Sequence, residues 1–304
     1  MPTKSKTSQP KTIHSKTSQS KASPSKAAQA KTNHSGVDRS GVDRSGIDHS
    51  KMKLGRKAVK TDSRTLMLAR YMTSALKPPP AKCDWTKGIT SWGMMLNGPE
   101  PTEPQFPNGL GDCTIAGAAH AVQVWTANNG AMVTVPDSTV LSYYENFDGY
   151  VPGNPKTDNG GVELDVLNDW KKQGFAGHPL LAFADPKVAN LTEVRQAIAL
   201  FGGVYIGLSL PITAQTQTVW DVAPNGGAKA KPGSWGGHCV FVPKYDQKTF
   251  TCITWGQLQT MTVAFWSKYC DEAHALLSPA WISTKGAPNG FNLAQLQADL
   301  QAIV

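Results

Sequence analysis

No apolar run in the 304-residue chain approaches the roughly 18 residues that cross a bilayer, and the N-terminus lacks the apolar stretch of about 7–15 residues of a secretory signal. These absences predict a cytoplasmic protein without a membrane span. Cysteine is sparse: five residues, at 83, 113, 239, 252 and 270, an odd number with no CxxC pair. That argues against a disulfide framework, leaves at least one free thiol and suits a reducing compartment. HExxH, Walker-type and GxSxG motifs are absent, which removes the commonest zinc-protease, nucleotide-binding and serine-hydrolase readings. Cys270 and His274 stand four residues apart, but two ligands without a second pair make only half a zinc site. No metal and no cofactor is expected.

Acidic residues are nearly missing from the first 60 positions, which carry a net charge of +11 and leave residues 61–304 at −3. From Lys11 to Ser50 this segment falls into five-residue units such as KTSQS and GVDRS. A period of five makes no helix or strand face apolar, so residues 1–60 are expected to form a disordered basic tail. Its spaced cations suit a polyanion or nucleic acid bound through phosphates. It lacks interleaved aromatics, so base stacking is not available to it. Folding falls to residues 61–304, enough for one large core.

Within that part, "TLMLARYMTSAL" (65–76) predicts a helix ended by Pro78. A second helix is expected over about 114–127, with Asp112 as N-cap and Cys113 at its first position. "VELDVLNDWKKQ" predicts a third, ended by Gly174, and the Asn190/Glu193 capping-box spacing opens a fourth to about Leu200. "VYIGLSLP" alternates as a strand, and 238–256 reads as a strand, a turn near Asp246–Lys248 and a returning strand. A last amphipathic helix, carrying His274, is expected within 262–277. The order is α+β, helices before strands.

A cysteine at a helix N-terminus gains thiolate character from the unpaired amides there. It also needs a base. His120 lies about 10 Å further along the same helix, beyond hydrogen-bond reach, and reads as structural. His178 precedes a proline and has no site-like setting. His238, after "GSWGG" at the head of a strand, has a glycine-rich approach that leaves an imidazole uncovered.

The ordered set "GDCTIAG", "TDNGGVELDVLNDWKKQG", "EVRQAIALFGGVYIGLSLP", "GGHCVFVPKYD" and "TFTCITWG", with 125 residues from Cys113 to His238, resembles the papain-like cysteine peptidases. The resemblance implies a two-lobed fold, one helical lobe and one antiparallel β lobe, with Cys113 as nucleophile and His238 as base. It implies Trp255 as the shield of the histidine and the Cys113 N–H as part of an oxyanion hole. The family's oxyanion glutamine falls on Pro107, leaving Asn108 or Gln105 as substitutes. Its histidine-orienting asparagine falls on Ile253, leaving Thr254, of opposite strand parity, or Asp246 in the turn. The implied activity is a thiol hydrolase acting on peptide or related amide bonds of a peptide or protein substrate. The alternative is an inactive papain-like binding module with a polyanion-binding tail.

Overall fold

Alanine and other small residues fill the stretch after Cys113, and they make α1 (Cys113–Asn128) a helix that can be packed on every side. All of its residues from Cys113 to Thr126 are buried. Gly117 is the point of closest approach to the sheet, where a Cβ would lie 2.9 Å from the Tyr205 ring. The computed structural model describes residues 49–98, 108–285 and 290–302. Against α1 pack α2 (Asp137–Asp148), ended by the left-handed Gly149, and α3 (Glu163–Gln173), ended at Gly174 as its sequence predicts. α4 (Leu191–Phe201) begins where the Asn190 side chain accepts the Glu193 N–H and ends at the left-handed Gly202.

The strands are β1 (Cys83–Asp84), β2 (Ala182–Ala184), β3 (Val204–Leu210), β4 (Val219–Trp220), β5 (Gly236–Tyr245), β6 (Thr249–Thr254), β7 (Gln257–Thr262) and β8 (Cys270–Leu277). Among the described residues they form one sheet in the order β2-β8-β3-β5-β6-β7-β4, with β1 also on β5. Every pairing is antiparallel except β4 with β7. Alternation divides the sheet's side chains. Tyr205, Cys239, Phe241 and Ile253 face the helical cluster around Trp125 and Trp170. Ile206, Leu208, Val240, Val242 and Cys252 face a second cluster with Trp220, Phe265 and Trp266. A smaller cluster holds Phe201, Leu277, Phe291 and Leu296. Short helices α5 (Val263–Tyr269), α6 (Pro279–Lys285) and α7 (Leu293–Ala302) complete the described chain. The architecture is α+β, and no described helix is long and apolar enough to cross a membrane.

Three sequence expectations change. The helix expected over 65–76 is a single 3-10 turn at Leu68–Tyr71, because the flanking Met67 and Met72 are drawn into bridges with Asp185 and Phe291. The helix expected within 262–277 stops at Tyr269. From Cys270 the backbone is extended and pairs with β2 and β3, so tertiary pairing overrides the helical period and puts His274 on a strand. Residues 49–60, assigned by sequence to a disordered tail, contain ordered chain bonded across the sheet's end; residues 1–48 lie outside the described part.

Candidate functional site

The loop before α1 is held from two directions. Asn97 donates to Leu110 O and to Asp112 Oδ1, both at 3.3 Å, and the Gly111 N–H reaches Asp158 Oδ1 at 2.9 Å. Tyr144 donates to the same Asp158 oxygen at 2.7 Å and accepts the Gly160 N–H. Asp112 occupies the N-cap position without a capping bond from its side chain, which turns to Asn97 instead. Burial holds its carboxyl well above the usual carboxylate range. Neither Asn97 nor Asp158 was legible as a site residue. Their partners come from distant chain segments.

Cys113 emerges from this loop fully buried, and its Sγ accepts the backbone N–H of Cys239 at 3.4 Å. The strand residue before that donor is His238, whose ring stacks on Trp255 at 4.8 Å and 15°. Its Nε2 is 2.7 Å from Thr254 Oγ1, while its buried Nδ1 makes no hydrogen bond. The structure thus brings Cys113, His238, Thr254 and Trp255 together at one end of β5. No hydrogen bond joins the sulfur to the ring. Burial pushes the Cys113 thiol up to about 12. Burial, with the positive Arg56 nearby, holds His238 down to about 3. The thiolate expected from the helix terminus is therefore absent in this form, in which both groups are neutral.

The opposite parity of Thr254 is what qualifies it. Phe241 pairs with Ile253, so Thr254 falls opposite Val240, and Val240 shares a face with His238 two residues away. Ile253 points to the helical side with Phe241. Thr254 then closes with Gln257 a two-residue turn in which Trp255 (φ 49°) and Gly256 (φ 70°) are both left-handed. Such a turn demands glycine or a strained residue. Trp255 keeps its φ because it is packed among His49, Trp220, Trp235 and His238.

Asp246 is excluded as a partner of His238. It lies at the far end of β5, where its carboxylate accepts the N–H groups of Lys248 and Thr249 and closes its own turn. Gln105 lies outside the described residues. Asn108 is exposed on the wall of a cavity of about 750 Å³ that Lys51, Lys53, Leu110 and Asp158 also line. His120 is a structural histidine bonded to Gly93 O at 3.0 Å.

Residues 49–57 form a strap over the sulfur, with the Gly55 backbone N–H against the Cys113 thiol. His49 packs on Trp255, Met52 enters the second core cluster and Lys53 pairs with Asp158. The backbone then runs between two walls. Arg56 N–H donates to Gly237 O at 3.0 Å, Gly161 N–H to Gly55 O at 2.9 Å, and Lys57 N–H to Gly161 O at 2.8 Å. Glycines make this contact physically available: a Cβ at Gly55 would lie 1.7 Å from Gly111 O, and one at Gly237 2.3 Å from Arg56 O. The Arg56 side chain, 3 % exposed, turns down among Glu163, Asp271 and Glu272.

No protein-family profile and no curated protein sequence matches the chain. Solved structures do. Xylellain, a cysteine protease from Xylella fastidiosa, is 14% identical with a TM-score of 0.55, over 74% of this chain and 96% of its own. The procathepsin B S9 of Trypanosoma congolense is 10% identical with a TM-score of 0.52, over 76% and 88%. The chain has the papain-like fold.

Proposed function

We propose that the protein is a thiol hydrolase of peptide or related amide bonds, with Cys113 as nucleophile and His238 as its general base. One observation carries the reading: His238 is fixed by Thr254 and Trp255 with Nδ1 left unbonded, on the strand whose next N–H meets the Cys113 sulfur. In the reaction, Nδ1 takes the thiol proton as Sγ bonds to the carbonyl carbon, and the carbonyl electrons move to oxygen. The imidazolium then protonates the leaving amine as the C–N bond breaks. Water, deprotonated by the same ring, releases the acid and returns the thiol. The Cys113 N–H supplies one donor to the oxyanion, with Asn108 or Gln105 as the second. Thr254 orients the ring; it is a positioning residue.

The fold of two cysteine-protease structures is consistent with this reading, although fold alone does not fix activity. A binding module is favoured by a different observation: in the strapped form the sulfur is inaccessible and the thiol is neutral. The two readings part once the strap is displaced. Gly55→Ala, whose methyl cannot coexist with Gly111 O, is expected to expose Cys113 and make it alkylate at a rate set by an ionisation well below that of a free thiol. Adding His238→Ala should abolish that hyper-reactivity. An unchanged rate and pH profile in the double variant would leave a papain-shaped binding module. Residues 1–48 are proposed separately to bind polyanions through their cations.

A further inference from the structure

Beside the sulfur lies a second, strongly charged site. Arg56 Nη2 is 2.7 and 2.8 Å from the two Asp271 oxygens, Nη1 is 3.1 Å from Glu272 Oε2, and Nε is 3.9 Å from Glu163 Oε1. The receptor is ordered around the guanidinium. Ser209 donates to Asp271 Oδ2 at 2.6 Å, and His274, held by Asp185 at 2.5 Å, reaches Glu272 Oε1 at 3.2 Å. Gly207 provides the space, since a Cβ there would lie 2.6 Å from Arg56 Nη1 and 2.8 Å from Glu163 Oε1. Glu163 is wholly buried, and neither of its carboxylate oxygens hydrogen-bonds to another nitrogen or oxygen.

The residue that fills this pocket also has its backbone bonded to Gly237, next to His238, and lies in a bridge with Gly161. A polypeptide taking the strap's place in the groove between Gly161 and Gly237 would meet those same two walls and present its side chain at this position to the same pocket. We infer that Glu163, Asp271 and Glu272 form an arginine-accepting subsite, so that polypeptides acted on at Cys113 present an arginine to it. This inference rests on the proposed function for the meaning of "acted on", not for the binding. Two-pronged geometry favours guanidinium over the point charge of lysine. Glu163, Glu272 and His274 also bring ligand atoms within 4.8 Å of one another. Nevertheless His274, lifted to about 10 by Asp185, Glu272 and Glu163 against the effect of burial, is an imidazolium there and offers a cation no lone pair.

The test uses the full chain carrying Arg56→Met, which takes the guanidinium out of the pocket, and the peptide KLGRKAVK, copied from residues 53–60, beside its Arg→Met and Arg→Lys forms. Calorimetry is expected to show the arginine peptide binding at least about thirtyfold tighter than the methionine form, with lysine between them. Glu272→Gln in the same chain should collapse most of that difference. Equal affinity for the three peptides, or a preference untouched by Glu272→Gln, overturns the subsite. So does uptake of Zn²⁺ or Mn²⁺ alone that excludes the peptide. If Arg56→Met does not fold, Gly55→Ala serves, because it lifts the strap without removing a charge partner. Binding that survives while hydrolysis is never found removes the catalytic reading and leaves the subsite standing.

Discussion

Two buried histidines separate the two halves of the groove. His238 and His274 are both essentially without solvent contact, yet one is held down to about 3 and the other lifted to about 10. Burial alone disfavours the charged ring, and around His238 the nearby cation Arg56 pushes the same way. Around His274 the carboxylates of Asp185, Glu272 and Glu163 reverse the outcome. Depth therefore does not decide protonation; the sign of the neighbours does. One half of the groove is uncharged, and the other is a cluster of ions gathered around Arg56 and His274.

The largest expected break in this contrast comes from Arg56→Ala. It takes the guanidinium from Asp271, Glu272 and Glu163 and leaves the buried pair only the His274 imidazolium, at a cost of about 3–5 kcal/mol if the strap stays in place. The chain is expected to release the strap instead, seen as a lower melting temperature together with Cys113 alkylation faster by a hundredfold or more. A lower melting temperature with Cys113 still protected would show that the strap is not held by Arg56. Thr254→Val comes next. Loss of the His238 partner leaves a buried ring nitrogen unsatisfied, about 1–3 kcal/mol, and is expected to reduce the reactivity of Cys113 in the Gly55→Ala chain about tenfold without abolishing it. Retention of full reactivity would show that Trp255 packing orients the ring unaided.

The pH response sharpens the comparison further. His274 has a folded value near 10, above the 6.5 of a free imidazole, so its stabilisation is present below about 6.5 and is lost as pH rises towards 10. Glu163, raised to about 8 by burial and by Glu272, adds a loss between roughly 4.5 and 8. His238 acts on the other side, because as pH falls from 6.5 towards 3 the unfolded chain gains a proton that the folded ring refuses. Denaturant titrations across pH should thus show stability declining in both directions. In His274→Gln the decline between about 8 and 10 should vanish while the acid side persists; an alkaline decline unchanged in that variant would assign it to other groups. The smallest expected effect is in thiol labelling of the native chain. Half-buried Cys83, although pushed up to about 12 by burial, should be modified before the buried Cys113. Early labelling of Cys113 would mean that the strap opens readily.

Local signals carried much of the fold in the sequence. The Asn190 cap, the glycine after α3 and the alternation of 204–210 each depend on neighbouring residues, and each appears where expected. His238 and Cys113 were legible as candidates because a glycine-rich approach and a loop-to-helix junction are local too. The strap was not. Its atoms meet Gly111, Gly161 and Gly237, all distant in sequence, while its lysines match the composition of the basic repeats before it. The signal available was the end of the five-residue period at Ser50, followed at once by Met52 and Leu54. Thr254 required the register of β5 on β6, which no single strand reveals. His274 was misplaced because a segment that pairs with two strands can still show a helical period.

The strap belongs to the chain it covers, and this sets how the groove responds to its surroundings. A separate ligand leaves when the solution is diluted; a tethered one keeps the same local concentration however few molecules are present. Closure is then a property of each molecule, independent of protein concentration, and a competing peptide must outbid a partner that never diffuses away. A cut in the backbone on the C-terminal side of Arg56 would change that arithmetic at once, turning residues 1–56, strap included, into a ligand that dilution can remove.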